Sequence, residues 1–186
     1  MTWGPQQIRS FQLEHLNHLG LPLKPDGNLG PQTQWALDLE TLDPKRQAIV
    51  KRALGFIGVV EQGQNRHPLI DKWLKACGVG VGQPWCAAMA SHCIGSGEIA
   101  CAQILGKRFP PTVEPFPGDL MWYRTGEWQG HCGVVIGVSA SEVLTVDSTA
   151  ATFDPAVVAT TGSVSFVFDA NADVLELTPR GGGDIS

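Results

Sequence analysis

The sequence predicts an α+β fold in which helices pack on an antiparallel sheet. Helical periodicity and helix-capping residues dominate the first half of the 186-residue chain. A proline-rich connection follows at Pro110, Pro111, Pro115 and Pro117, and the sequence then changes to short strand-like stretches. Helices first and strands afterwards are typical of an α+β domain.

Composition limits the kind of protein this chain encodes. Hydrophobic residues make up 43% and charged residues 17%, which allows one sizeable core with a small appendage. The net charge is -5 without a basic stripe, so we expect no nucleic-acid partner and no membrane contact. MTWGPQQIRS has no secretory-signal pattern, and no apolar run reaches the roughly 20 residues of a membrane span. We expect a soluble monomer made in the cytoplasm without a signal peptide.

The sequence of residues 5–40 predicts two short helices joined by a turn. Gly20 is suited to cap the first helix, a turn follows at Asp26-Gly27, and Pro31 is suited to open the second helix. Such a small unit holds little core alone and should pack on the rest of the chain. The apolar residues with helical spacing in the first helix are Ile8, Phe11, Leu16 and Leu19, and those of the second are Trp35, Ala36 and Leu39.

The amino-acid sequence of this unit also matches a known motif pattern. LNHLGLPLKPDGNLGPQTQWAL resembles the bacterial peptidoglycan-binding domain with its LNxLG, DGxxGxxT and AL motifs, over residues 8–39. The resemblance implies that residues 1–42 bind peptidoglycan. The alternative is that the segment is a structural cap, because a fold alone does not fix a function. Besides Gly20, the motif residues and the nearby aromatic candidate for wall contact are Asp26, Gly27, Gly30, Thr33 and Trp35.

Three further helices are predicted before the prolines. One begins with Asp43-Pro44 and runs to about Gly58, and a second spans Pro68–Ala76 and ends at Gly78. The third begins near Trp85 and stops at Gly95. The predicted strands are 119–124, 131–138, 143–147 and 164–169. We therefore divide the chain into residues 1–42, a second domain at 43–178 and a flexible tail at 179–186.

Cys86 lies in the first turn of the third predicted helix, in GQPWCAAMASHC. Unpaired N–H groups and the helix dipole favour a thiolate there, as a nucleophile requires. A buried structural cysteine and half of a disulfide are alternatives. Zinc is disfavoured because the five cysteines (Cys77, Cys86, Cys93, Cys101 and Cys132) form no CxxC pair, and we expect neither a metal nor a cofactor.

His131 begins the strand GHCGVVIGV and is the predicted base for Cys86. Alternation places His131, Gly133, Val135 and Gly137 on one face, and Cys132, Val134, Ile136 and Val138 on the other. The glycines leave room for a close neighbour. His92 is nearer in sequence, but six helical residues place it about 120° away from Cys86.

Asp147 is the predicted residue that orients the imidazole, with Ser148 and Thr149 as alternatives. If strands 131–138 and 143–147 form a hairpin whose paired numbers sum to 280, Gly133 faces Asp147. Asp147 is then diagonal to His131 on the same face. A slip of one residue would move it to the opposite face.

The part of the chain that contains Cys86 and His131 shows a second, more specific resemblance. GVVEQGQNRHPLIDKWLKACG, GQPWCAAMASHC, PGDLMWY and GHCGVVIGV follow the order of the CHAP family, the papain-like cysteine, histidine-dependent amidohydrolases and peptidases of phage endolysins and bacterial autolysins. The resemblance covers roughly residues 45 to 170 and implies a papain-like fold. It also implies Cys86 as the nucleophile, His131 as general base and then acid, and Asp147 as the orienting residue. The chain has PWC where QC is commoner, and Asp where the family often has Glu or Asn.

Four further residues are candidates around this site. The oxyanion donors are the backbone N–H of Cys86 and the Gln83 amide, and Trp85 is a candidate wall of the cleft. Glu61 is either an acid bordering the cleft or a solvated surface residue. Asp119 is expected to accept backbone hydrogen bonds at the start of a strand.

Together the two resemblances imply a peptidoglycan hydrolase that cleaves an amide through a cysteine thioester. The setting would be a phage endolysin released through a holin and acting at the cell wall, or an antibacterial effector injected into a rival. A transglutaminase-like acyl transferase and a non-catalytic wall-binding module are the alternatives in other functional classes. Neither the scissile bond nor the target species follows from the sequence.

Overall fold

The computed structural model describes residues 3–95, 99–109, 114–124, 126–138 and 143–147, together with the backbone of two later strands. These residues form a mixed helix and sheet structure, which confirms the α+β class. The helices are α1 (Pro5–Glu14), α2 (Pro31–Thr41), α3 (Pro44–Leu54), α4 (Pro68–Ala76), α5 (Cys86–Ile94) and α6 (Ala102–Lys107). The strands are β1 (Leu120–Arg124), β2 (Gly130–Val138), β3 (Val143–Asp147), β4 (Val164–Val167) and β5 (Val174–Leu177).

The strands form one antiparallel sheet in the order β3-β2-β1-β4-β5. Side chains of Leu120, Val134 and Val146 enter the main core together with the helices. Met121 and Val135 belong to a separate buried cluster, as expected for the opposite parity in the strands. The helices therefore cover one face of the sheet at its three-strand β3-β2-β1 side.

Most helix boundaries follow from capping chemistry. The Asp43 side chain accepts hydrogen bonds from the amides of Lys45 and Arg46, so α3 begins at Pro44 as predicted. The predicted continuation to about Gly58 is wrong, because turns with hydrogen bonds three residues apart replace the helix after Leu54. The predictions for α4 and α5 are confirmed, and Gly95 ends α5 in the left-handed conformation with φ +70°.

The predicted first helix is too long. It ends at Glu14, and Leu16 forms an isolated bridge with Pro22. The side chain of Asn17 accepts hydrogen bonds from the amides of Leu19 and Leu21, which stabilises a loop instead of another helical turn. Gly20 has φ +72° and lies in that loop, so it is not the helix cap that the spacing predicted.

Two elements were not predicted, α6 and β5. The six-residue α6 contains Gly106, which packs so closely on the Trp122 ring that a Cβ atom would overlap it. The predicted fourth strand is present as β4, and its last residues, 168–169, lie outside the described residues. Ser148, Thr149 and the tail at 179–186 also lie outside them.

The start of β1 is fixed to α3 by Asp119, which is 1% exposed. Its carboxylate accepts a hydrogen bond from the Phe116 amide at 2.7 Å, as predicted, and one from Arg46 Nη1 at 2.7 Å. This paired, buried carboxylate orders the approach to the sheet.

The N-terminal unit packs on the sheet, as its small size predicted. Trp35 Nε1 donates a hydrogen bond to the carbonyl of Ile136 at 2.8 Å, where a register shift between Val135 and Gly137 interrupts the β2–β3 pairing. The shift pairs Gly137 with Leu144, so Gly137 faces Trp35 rather than the His131 side that alternation predicted. Among the described residues, no helix is long and apolar enough to cross a membrane.

Candidate active site at Cys86

Cys86 is the first residue of α5, directly after the N-cap residue Trp85. Its side chain is 8% exposed, and Ala87, Ala88 and Ala90 behind it are buried in the main core. These small side chains let α5 pack tightly on neighbouring elements. The sulfur consequently lies at the positive end of a helix while retaining a little access to solvent.

The sulfur of Cys86 contacts the beginning of β2. The imidazole of His131 and the side chain and main chain of Cys132 are the neighbours that act on the pKa of this sulfur. Alternation along β2 is confirmed up to Val135, and His131 and Cys132 nevertheless both lie near enough to Cys86 to act on its pKa.

Asp147 lies beside His131, as the predicted register requires. Gly133 pairs with Asp147, and Val134 pairs with Val146, so the paired numbers sum to 280 at this end of the hairpin. A Cβ on Gly133 would lie 2.7 Å from the Asp147 Cβ, so the close approach depends on glycine. His131 Nε2 is 3.6 Å from Asp147 Oδ2, which is ion-pair range rather than a short hydrogen bond.

These contacts shift the protonation of both groups towards an ion pair. The neighbouring Cys132 side chain is the largest influence on Cys86, and together with His131 it outweighs burial and lowers the pKa of Cys86 to about 5. Burial alone would lower the pKa of His131, but the neighbouring Asp147 carboxylate and Cys86 sulfur raise it to about 9. Between these values the site holds a thiolate beside an imidazolium.

Two residues of the site were missed by sequence reasoning. Cys132 lies on its predicted face, fully buried in the main core with Val134 and Ile136, and the sequence did not indicate that it would neighbour Cys86. Tyr123 pairs with His131 across the β1–β2 ladder, and their ring centroids are 5.5 Å apart. The only sequence signal for Tyr123 would have been the β1–β2 register, which the sequence does not fix.

The flanking candidates Trp85, Glu61 and Gln83 are placed differently from Cys86, His131 and Asp147. Trp85 is 5% exposed and stacks on Trp73 at 5.8 Å, so its ring belongs to the core. Its Nε1 donates a hydrogen bond to the exposed Glu61 at 2.8 Å. Gln83 is exposed three residues before Cys86. Roles for these three residues towards a substrate stay predictions.

In the N-terminal unit, the motif residues surround the buried side chain of Gln12, which the sequence did not single out. Gln12 Nε2 donates hydrogen bonds to Asp26 Oδ1 at 3.1 Å and to Thr33 Oγ1 at 3.0 Å. Gln12 Oε1 accepts a hydrogen bond from the amide of Gly27 at 2.8 Å. Gly27 has φ +76°, and a Cβ there would lie 2.8 Å from the Pro5 carbonyl oxygen. We call Gln12, Asp26, Gly27 and Thr33 the Gln12 cluster.

The other two wall-binding candidates also have structural contacts. Gly30 is the N-cap residue of α2, and Trp35 holds the unit against β2. The motif residues therefore have clear roles in folding and packing this segment. Whether the segment binds a cell wall stays a prediction.

The described residues bear on two alternatives for the cysteines, a disulfide and a metal site. All five cysteines are free thiols. Within the part of the chain that the structure describes, no group of three or more His, Cys, Asp or Glu side chains is arranged to hold a metal ion.

Comparisons with protein-family models, curated proteins and solved structures found no match. A low-pKa thiolate at a helix start, paired with an imidazolium beside a carboxylate, is suited to nucleophilic attack on a carbonyl carbon.

Proposed function

We propose that this protein is a cysteine amidohydrolase or peptidase of the CHAP type, with a papain-like arrangement, that cleaves an amide bond in peptidoglycan. The observation that carries the proposal is the contact of Cys86 with His131, and of His131 with Asp147. The two peptidoglycan-related resemblances supply the substrate class.

The reaction would begin with Cys86. Its thiolate attacks the amide carbonyl carbon and forms a tetrahedral intermediate, and the C–N bond then breaks as protonated His131 gives its proton to the leaving amine. The resulting thioester is attacked by water, whose proton returns to His131. The products are a free amine and a free carboxylic acid, and Cys86 is released as the thiolate.

The ring orientation of His131 supports this division of roles. Nε2 faces Asp147 Oδ2, so we infer that Nδ1 serves the sulfur of Cys86. Asp147 would hold the ring in place and stabilise its positive charge. The oxyanion would be bound by the Cys86 backbone N–H, which has no partner within the first turn of a helix, with the Gln83 amide as a second candidate.

The N-terminal unit would keep the enzyme on its insoluble substrate. Residues 1–42 would bind the wall and residues 43–178 would hydrolyse it, with the protein acting as a monomer after release through a holin, as a phage endolysin does. Tethering raises the local enzyme concentration without a new contact at the active site. Injection as an antibacterial effector is the alternative setting.

The test is mass spectrometry of fragments released from purified peptidoglycan by the full chain, by Cys86→Ala and by Cys93→Ala. Cys93 is the matched control because it is buried in the same helix. We expect fragments from the wild type and Cys93→Ala only, and their new termini identify the scissile amide.

Three results would contradict the proposal. Release that is unchanged in Cys86→Ala would exclude the cysteine mechanism. Binding to the wall without release by any of the three proteins would favour a non-catalytic module. If an added primary amine is found joined to the acyl product, the enzyme is an acyl transferase rather than a hydrolase.

A further inference from the structure

We propose that Trp128 is a substrate-binding residue beside the active site, and that its exposed indole ring packs against a saccharide ring of the wall glycan. This inference rests on the proposed function, because it takes peptidoglycan as the substrate. Binding of a saccharide can be measured without catalysis, however, so the two proposals can fail separately.

Trp128 is the most exposed large hydrophobic side chain among the described residues, at 82%. Trp73 and Trp85, in contrast, are 2% and 5% exposed in the main core. Exposure alone does not define a binding site, since single apolar side chains are common on protein surfaces. The anchoring of the loop that carries Trp128, its position and its polar neighbours distinguish this residue from the others.

A buried amide holds the loop between β1 and β2, of which residues 126–129 are described. Gln103 of α6 is 7% exposed, and its Nε2 donates hydrogen bonds to main-chain carbonyl oxygens on both sides of Trp128. These oxygens belong to Gly126 at 3.3 Å, Glu127 at 3.1 Å and Gln129 at 2.9 Å. A loop fixed in this way loses little conformational freedom when it binds a ligand, which favours binding.

The same loop leads directly into the active site. Tyr123 pairs with His131 in the β1–β2 ladder, and one further pair precedes the loop. Trp128 is three residues from His131, so their Cα atoms are at most about 11 Å apart. The anchoring helix α6 also packs on α5, which begins with Cys86. A polymer whose amide lies at Cys86 is therefore long enough to reach the indole ring.

The surroundings of Trp128 favour a saccharide over a protein partner or a membrane. The adjacent side chains, Glu127 and Gln129, are exposed and polar, so the ring is not part of a larger apolar patch. A protein interface has an apolar centre of several side chains, and a membrane-binding surface combines several apolar and basic residues. A sugar ring, in contrast, has one face of C–H groups that packs on an aromatic ring, and its hydroxyl and acetamido groups suit polar neighbours.

The first experiment is an NMR titration of the full chain with the trisaccharide of N-acetylglucosamine. The indole N–H signal of Trp128 is assigned by its absence in Trp128→Phe. We expect this signal to shift as the trisaccharide is added, because the sugar packs on the ring. An unmoved Trp128 signal at millimolar trisaccharide would overturn the proposal.

The second experiment measures the kinetics of wall hydrolysis. Trp128→Ala should lower kcat/KM about tenfold, mainly through KM, whereas Trp128→Phe keeps an aromatic ring and should stay within about threefold of the wild type. Val138→Ala is the control, since it shortens an exposed apolar side chain at the opposite end of β2, and it should have no effect. The pH profile of Cys86 alkylation by iodoacetamide should be the same in all four proteins.

The outcomes separate this proposal from the proposed function. Wall hydrolysis with an unchanged kcat/KM in Trp128→Ala would overturn the role of Trp128 and leave the hydrolase in place. An altered alkylation profile in Trp128→Ala would also overturn it, because the loop would then act on the thiol rather than on the substrate. A shifted Trp128 signal in a protein that does not hydrolyse the wall would support the saccharide contact while removing the proposed function.

Discussion

The Gln12 cluster and the Cys86 site are two polar groupings built in the same way with different outcomes. Each joins side chains from distant parts of the sequence and is largely shielded from solvent, with Asp26 the most exposed member at 32%. In the Gln12 cluster, the buried amide donates to oxygen atoms and accepts from a backbone N–H at 2.8–3.1 Å. In the Cys86 site, two ionisable groups are held as charges, and the ion-pair distance from His131 to Asp147 is 3.6 Å.

The difference separates structural from reactive polar clusters. A buried neutral amide with satisfied hydrogen bonds stabilises one backbone arrangement and has little tendency to react. Coupled titratable groups with strongly shifted pKa values are enriched at functional sites, since chemistry needs a nucleophile and an acid at the same pH. The contacts of the N-terminal motif explain how its segment folds, whereas the shifted pKa values at Cys86 and His131 are what the proposed reaction needs.

The largest expected effect is on the reactive cluster, from Gly133→Ala. The added Cβ would lie 2.7 Å from the Asp147 Cβ and 2.8 Å from the Val146 carbonyl oxygen, so β3 must shift. A displacement of this kind should lower the rate of wall hydrolysis about 100-fold. NMR titration should also show a lower pKa for His131, since its carboxylate neighbour moves away.

Gly137→Ala is the control for that substitution. Its Cβ would lie 2.8 Å from Trp35 Nε1 at the other end of β2, so it disturbs packing of the N-terminal unit. It should leave the titration of His131 unchanged. Full activity in Gly133→Ala would contradict the orienting role of Asp147.

In the structural cluster, Gln12→Ala should lower the free energy of unfolding by about 2 kcal/mol, because buried partners lose their hydrogen bonds. Denaturant unfolding measures this change. Gln7→Ala is a control in the same helix, where the hydrogen bond is exposed, and it should cost less than about 0.5 kcal/mol. The pH profile of Cys86 alkylation should be the same in both variants; a shift in Gln12→Ala would show that the two clusters are coupled.

The charge state of the reactive cluster predicts a wide pH window. With the pKa of Cys86 at about 5, the alkylation rate should fall about tenfold for each pH unit below that value as the thiolate is protonated. With the pKa of His131 at about 9, hydrolysis should fall above that pH because the proton donor is lost. Stopped-flow alkylation and fragment release measure the two limits. An alkylation rate that still rises tenfold per unit near pH 8 would indicate an ordinary thiol.

The smallest expected effect is that of Glu61→Gln. The amide oxygen can still accept the hydrogen bond from Trp85 Nε1, so the rate of wall hydrolysis should stay within about twofold. A much larger loss, with unchanged thermal stability, would show that the carboxylate acts on the substrate. The same measurement therefore decides between the two sequence-based interpretations of Glu61.

The sequence allows the register at the His131 end of the hairpin without proving it, and the structure has that register. Val134 and Val146 must both reach the core, and this requirement aligns Gly133 with Asp147. Beyond Val135 the same reasoning fails, since an inserted residue leaves no periodic signal. Gly137 could be assigned to its face only once the contact with Trp35 was known.

The missed residues share one cause. Gln12 contacts Thr33 across 21 residues, and Cys132 contacts Cys86 across 46, and neither pairing has a local periodicity. Local rules predicted where each element begins better than they predicted which side chains meet.

We expect the neighbouring side chains of Cys86 and Cys132 to make the protein sensitive to its redox surroundings. A peroxide would oxidise the Cys86 thiolate to a sulfenic acid with release of hydroxide, and the Cys132 thiol would then displace water to form a disulfide. Protein purified without reductant would accordingly titrate three thiols instead of the five in the sequence, and dithiothreitol would restore the count. The buried partner would thus return an oxidised nucleophile to use before irreversible sulfinic acid forms.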